Sequence, residues 1–174
     1  MDLSIMSLKP TYRPLEHKDI PQVQKTLLHT WIDSYSAFIP NKDIQWYLQN
    51  TYSESYFLAL LGEKQTWSYI AEVQEHIVGY ARAHINDDEQ RLYMSSLYVL
   101  PEFQGQGIGT SLLTIIENEA LQQSYTTIWL GVMTQNVPSL TWYKKLGFLF
   151  VEEAPFRMGE TTVNHLIGFR MITR

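Results

Sequence analysis

The chain has 174 residues, 45% hydrophobic and 13% aromatic, which suits one domain spanning residues 1–174 with a real core. With 13 Lys plus Arg against 18 Asp plus Glu, the formal net charge of -5 disfavours a protein that tracks nucleic-acid phosphates and mildly favours a cationic partner. The absence of cysteine excludes disulfides, thiolate metal sites and a cysteine nucleophile. Met1-Asp2-Leu3-Ser4-Ile5 carries no basic or long apolar region, and no run approaches the ~20 apolar residues of a membrane span, so a cytoplasmic location is expected.

In chain order, a short strand is expected around Leu8 to Arg13. Asp19 and Pro21 then mark the start of an amphipathic helix, with Ile20, Val23, Leu27, Trp31 and Tyr35 at helical spacing and Pro40 as its stop. A second helical patch runs through Ile44, Tyr47 and Leu48 and leads into a segment, Ser53 to Gly62, whose pattern fits no single element. Thr66 to Val73 and Ile77 to His84 read as two strands of a hairpin turning at Gln74-Glu75-His76. Leu92 to Leu100 is a longer strand, and Ile108, Leu112, Ile115, Ile116 and Ala120 trace one face of a helix. Thr126 to Val132 (strand), Pro138 to Leu146 (helix) and two strands around Phe148 to Met158 and Val163 to Ile172 complete the order. A meander beside a strand-helix-strand unit predicts an α/β fold: a mixed twisted sheet of about six to seven strands with helices on both faces.

The chemistry concentrates in Gln104-Gly105-Gln106-Gly107-Ile108-Gly109-Thr110, between the strand at Leu97-Tyr98-Val99-Leu100 and the helix that follows. Alternate glycines let successive main-chain N–H groups face one concavity, and a helix N-terminus adds its positive dipole end, which together suit a phosphate. A tight turn between two core elements is the alternative. The dinucleotide fingerprint fails because Thr110 stands where its last glycine would be, the Lys-Ser/Thr ending of a P-loop is absent, and no G-x-S-x-G elbow occurs. The histidines at 17, 29, 76, 84 and 165 show no ligand spacing, so no metal is expected.

Gln104-x-x-Gly107-x-Gly109, followed about thirty residues later by Asn136-Val137-Pro138-Ser139 and Trp142-Tyr143-Lys144-Lys145-Leu146-Gly147-Phe148, resembles the GNAT family of N-acetyltransferases. The likeness covers the chain from about Thr66 onward. Ile128 to Val132, Tyr143 to Phe148 and Phe156-Arg157-Met158-Gly159 are similar in detail to bacterial spermidine/spermine N-acetyltransferases. The resemblance implies acetyl-CoA as co-substrate, with its pyrophosphate on the amides of Gly105 to Thr110 and its amide-bearing arm along Leu97, Tyr98 and Val99. A main-chain N–H, that of Val99, would polarise the thioester carbonyl. Asn136 and Ser139 would face the cofactor, although Asn136 also reads as an ordinary helix cap. Gly147 reads as a left-handed C′ residue.

Within that resemblance Tyr143 is the acid that protonates the departing thiolate, against a simpler role in packing its helix. The position where family members often keep a basic Glu is Ser95, which needs a relayed proton acceptor; Glu72 and His84 are the nominees. The acceptor pocket falls after the first helix, where Trp31, Asp33, Tyr35 and Asp43 suit an alkylammonium. The expected activity is direct acetyl transfer from acetyl-CoA to a primary amine, a polyamine or another small amine. Rival acceptors are a protein N-terminus or an antibiotic amine, and a weakly catalytic acetyl-CoA sensor is a different class again. No nucleic-acid or membrane partner is expected, and a homodimer is compatible with the sequence.

Overall fold

The computed structural model describes residues 9–173, so Leu8 at the expected start of the first strand lies outside the described residues. Among the described residues, seven strands and five α-helices follow the predicted order with one helix added, beside two short 3-10 turns. The strands are β1 (Thr11–Pro14), β2 (Thr66–Val73), β3 (His76–Asn86), β4 (Arg91–Val99), β5 (Thr127–Met133), β6 (Leu149–Met158) and β7 (Thr161–Met171). The α-helices are α1 (Ile20–Tyr35), α2 (Asn41–Thr51), α3 (Glu54–Leu61), α4 (Ile108–Gln122) and α5 (Val137–Lys145), with 3-10 turns at His17–Asp19 and Pro101–Phe103. The addition is α3, in the segment that the hydrophobic pattern left undefined; its Ser53 hydroxyl caps the helix by accepting from the Tyr56 N–H at 3.3 Å. Pro40 does not stop α1, which ends at Tyr35; instead it is the residue from which α2 departs.

All seven strands form one sheet in the order β1-β2-β3-β4-β5-β7-β6, antiparallel throughout except for β4 beside β5. β3 is buried from Ile77 through Ala81, as a strand covered on both faces must be. On one face α4 and α5 pack through Leu112, Ile116, Leu140 and Tyr143. On the other, α1, α2 and α3 pack through Leu27, Trp31, Ile44 and Phe57.

The outer strands are tied to α1 by charge. The Arg13 guanidinium donates to both Asp19 oxygens, at 2.6 and 2.8 Å, and to Glu72 at 2.9 Å, while Asp19 also accepts from the Glu16 N–H at 2.9 Å. Arg13 therefore holds the Asp19 carboxyl below its ordinary pKa. A depressed carboxyl stabilises the fold above its unfolded pKa of about 4 and loses that contribution as pH falls through the folded value. Asp19→Ala is expected to lower unfolding stability by about 2 kcal/mol at pH 7, with the gap to the parent protein shrinking as pH falls below about 4. Urea unfolding at stepped pH measures it, and a gap independent of pH would show that the ion pair is not its source.

Candidate active site

β4 and β5 share a single paired rung, Tyr93 with Trp129, and then part. Leu100 N–H donates to Val78 O on β3, so the N–H and C=O of Val99, one residue earlier, turn the other way, toward the gap left by β5. The side-chain amide of Gln104 donates to Val99 O at 3.0 Å, pinning the start of the glycine loop to the strand end. Gly105 and Gly107 have φ of 75° and 83°, in the left-handed region open to glycine, and a Cβ on either would meet nothing within 4 Å. The first main-chain bond of α4 runs from Ser111 N–H to Gly107 O, leaving the amides of Ile108, Gly109 and Thr110 directed out of the helix end. Gly109 serves packing: its absent side chain leaves room for the Trp142 ring, 3.5 Å from where a Cβ would sit.

Two cavities of about 460 Å³ each open on this gap. One is lined by Gly105, Gly107, Ile108, Gly109 and Thr110 together with Phe103, Pro138 and Trp142. The other runs between the sheet and α1, past Trp31, Tyr35, Tyr47, Tyr98, Phe156 and His165. They share five residues: Leu97, Val99, Gln104, Ser139 and Tyr143. Tyr143 is held there by the end of α5, where Gly147 is left-handed at φ 89° and the Phe148 N–H returns to Tyr143 O at 3.1 Å. Burial raises the pKa of the Tyr143 phenol above its ordinary range.

Electrostatically the second cavity is neutral. Its only carboxylate among the described residues is Glu89, which is engaged by Arg91 at 3.0 Å and by the Tyr93 hydroxyl at 2.9 Å. Burial pushes Tyr35 up to about 12 and keeps the His84 and His165 imidazoles below their ordinary value, so at neutral pH the phenol and both rings are uncharged. Among the described residues, five buried side-chain polar atoms have no hydrogen-bond partner: Trp31 Nε1, Arg82 Nε, His84 Nδ1, Ser96 Oγ and His165 Nδ1. All but Arg82 belong to residues lining this cavity. Leaving such groups unpaired costs about 1–3 kcal/mol apiece.

A family model described as "Acetyltransferase (GNAT) family" matches residues 27–148, more than half of the chain. The chain belongs to that family. It is therefore an acetyl-CoA-dependent N-acetyltransferase, and GNAT enzymes act on small-molecule or peptide amines. It is 22% identical over 152 residues to an uncharacterized N-acetyltransferase of Lactobacillus delbrueckii subsp. lactis, covering 84% of this chain and 88% of the relative. It is 30% identical over 113 residues to an N-alpha-acetyltransferase of Sulfurisphaera tokodaii, covering 58% and 67%. The fold matches the crystal structure of PaiA N-acetyltransferase from Thermoplasma acidophilum in complex with coenzyme A, at a TM-score of 0.82 and 18% identity over 94% of this chain and 99% of that one.

The GNAT motif residues converge. Leu97 and Val99 edge both cavities, Tyr98 edges the aromatic one, and Asn136 caps α5 by accepting from the Ser139 N–H at 3.3 Å while also lining the aromatic cavity. Gln106 stands apart: exposed, bound to Glu102 O and outside both cavities. Trp31 and Tyr35 line the aromatic cavity, whereas Asp33 is on the exposed side of α1 and lines neither. Asp43 is buried under the β6–β7 turn, accepting from the Thr161 hydroxyl at 2.6 Å and the Glu160 N–H at 3.2 Å, a structural position. Glu72 is taken up by Arg13. Ser95 is the extra residue of a β-bulge between β3 and β4, and its hydroxyl accepts from Arg82 at 3.2 Å. His84 lines the aromatic cavity with its ring stacked 6.1 Å from Tyr93. His165 and Gly131 were not singled out from sequence; a Cβ on Gly131 would meet the His165 ring at 2.6 Å, and a lone glycine inside a strand is the signal that marks such a close approach.

Proposed function

We propose that the protein transfers acetyl directly from acetyl-CoA to the amino group of a small primary amine seated in the aromatic cavity. The observation that carries this reading is the wall shared by the two cavities: a thioester arm lying along Leu97 and Val99 from the glycine loop ends where the aromatic cavity begins. In this reading Gln104, the amides of Gly105 to Thr110 and the Asn136–Ser139 turn hold the donor. Val99 N–H polarises the thioester carbonyl. The amine attacks the carbonyl carbon, the C–S bond breaks, and Tyr143 protonates the departing sulfur. No group on the chain needs to carry the acetyl.

The acceptor is a small amine of low charge. A polyamine gains most from several carboxylates, and the single carboxylate here is already neutralised by Arg91. Aromatic walls at Trp31, Tyr47 and Phe156 favour one ammonium on an apolar body through cation–π attraction and burial. Thiol release from acetyl-CoA across an amine panel tests this. Aryl- and alkyl-monoamines are expected to lead, with kcat/KM changing less than about two-fold between low and high salt, because screened long-range charge contributes little. A polyamine leading with rates that fall steeply as salt rises overturns the low-charge assignment. Silence with every amine despite tight acetyl-CoA binding overturns acetyl transfer and leaves a cofactor sensor.

A further inference from the structure

The site as described lacks a proton acceptor. An alkylammonium of pKa ~10 is about one part in a thousand free base at pH 7, so attack on the thioester needs a group that removes a proton. Ser95 is bound to the Arg82 guanidinium, and Glu72 lies in the Arg13 cluster.

We infer that His165 of β7 is the general base, taking the proton from the attacking amine; this rests on the acetyl-transfer reading. Three observations carry it. The first is position: His165 pairs with Met133 on β5, beyond the last rung that β5 shares with β4, and its ring lines the cavity that Tyr143 also lines. His84, by contrast, pairs with Tyr93, at the closed end where the strands still touch.

The second is the space made for the ring. A Cβ at Gly131 of β5 would stand 2.6 Å from His165 Cδ2 and 3.2 Å from Nε2, so the absent side chain is what lets the imidazole lie over the strand. The third is the lack of any competing charge. Nδ1 is buried without a hydrogen-bond partner among the described residues, and the residue's register partner on β6 is the uncharged Ala154. The burial of Nδ1 leaves Nε2 as the ring nitrogen that can meet an occupant of the cavity.

Among the described residues, the elements packed around the ring bring no counter-ion that would hold it protonated. β6 contributes the Phe156 ring, edge-on at 5.7 Å, and β5 contributes Gly131. Across the cavity the titratable groups are His84, Glu89 bound by Arg91, and the phenols of Tyr35, Tyr47, Tyr52, Tyr93, Tyr98 and Tyr143, with Tyr35, Tyr47, Tyr93, Tyr98 and Tyr143 raised by burial. Burial also keeps His165 itself below its ordinary value, hence unprotonated at pH 7. In the step, His165 Nε2 takes one proton from the alkylammonium, and the freed amine forms the C–N bond and loses its second proton to solvent. The C–S electron pair leaves on sulfur and takes the Tyr143 proton, and the imidazolium and phenolate then re-equilibrate with solvent.

The test is the pH dependence of kcat in the full chain with the best amine of the panel. His165→Gln is expected to lower kcat about 100-fold while acetyl-CoA affinity stays within about two-fold. The parent profile levels off above the imidazole pKa, whereas the variant should climb tenfold per pH unit toward the pKa of the amine. Added imidazole should restore part of the rate of His165→Ala. Gly131→Ala, which displaces the ring without removing it, should lower kcat in the same direction and serves as the second variant if His165→Gln does not fold. A His165→Gln enzyme with the parent kcat and profile, or a His84→Gln enzyme that alone loses the acid limb, overturns the assignment. A parent protein silent with every amine overturns acetyl transfer and this role with it.

Discussion

Replacing Tyr143 by Phe is expected to lower kcat about 100-fold, roughly 2.7 kcal/mol of barrier, while leaving acetyl-CoA affinity within a factor of about two. The split follows from what the side chain touches. Its ring packs against Trp142 and Phe148 at 4.9 and 5.3 Å, and Phe keeps both contacts, so only the hydroxyl is lost. Burial raises the phenol, so the acid form persists through the neutral and alkaline range and Tyr143 contributes no falling limb there. A phenol less acidic than usual still suits a thiol of pKa about 8.5, because a thiolate released into the same desolvated wall is made more basic by the same burial. Steady-state kinetics with acetyl-CoA varied at saturating amine gives the answer. An unchanged kcat returns Tyr143 to a packing role.

Gly107→Val should abolish measurable acetyl-CoA binding, a loss of at least about 100-fold, with the fold retained at a cost of roughly 1–2 kcal/mol. The stability cost comes from φ, since a β-branched residue at 83° is strained whatever the space around it. The binding loss comes from position. Gly107 precedes the first turn of α4, where three amides point outward, and a valine there fills the cradle or rotates the amides away from it. Isothermal calorimetry with acetyl-CoA beside a thermal melt separates the two effects. Normal affinity would reduce the loop to a tight turn.

The fold was legible wherever a period or a punctuating residue was strong. Ile20 to Tyr35 kept a 3.6-residue repeat over four turns, and the Thr66–Val73 strand ended as expected at a polar turn. Segment Glu54–Leu61 escaped because Tyr56 through Leu61 is apolar on every side, and a run without a polar face carries no period to read. Pro40 misled because a proline that cannot continue one helix is equally suited to begin the next. The donor side of the site was legible because main-chain geometry writes itself into sequence as glycines. The acceptor side was not, because its pieces come from β3, β5, β7 and α1, brought together by long-range pairing that leaves no local pattern. Asp33 looked useful from its neighbours Trp31 and Tyr35, yet two residues along a helix is about 200° of rotation, and it faces the other way.

With a single rung between β4 and β5, the sheet is in effect two leaves, β1 to β4 and β5 with β7 and β6, meeting at a seam. Val99 rides on the first leaf; Tyr143, on the helix that follows β5, and His165 ride on the second. The angle between the leaves thus sets the grip on the donor, the aim of the acid and the reach of the imidazole as one mechanical variable. A substitution far from the reacting atoms that wedges or closes the seam detunes all three together.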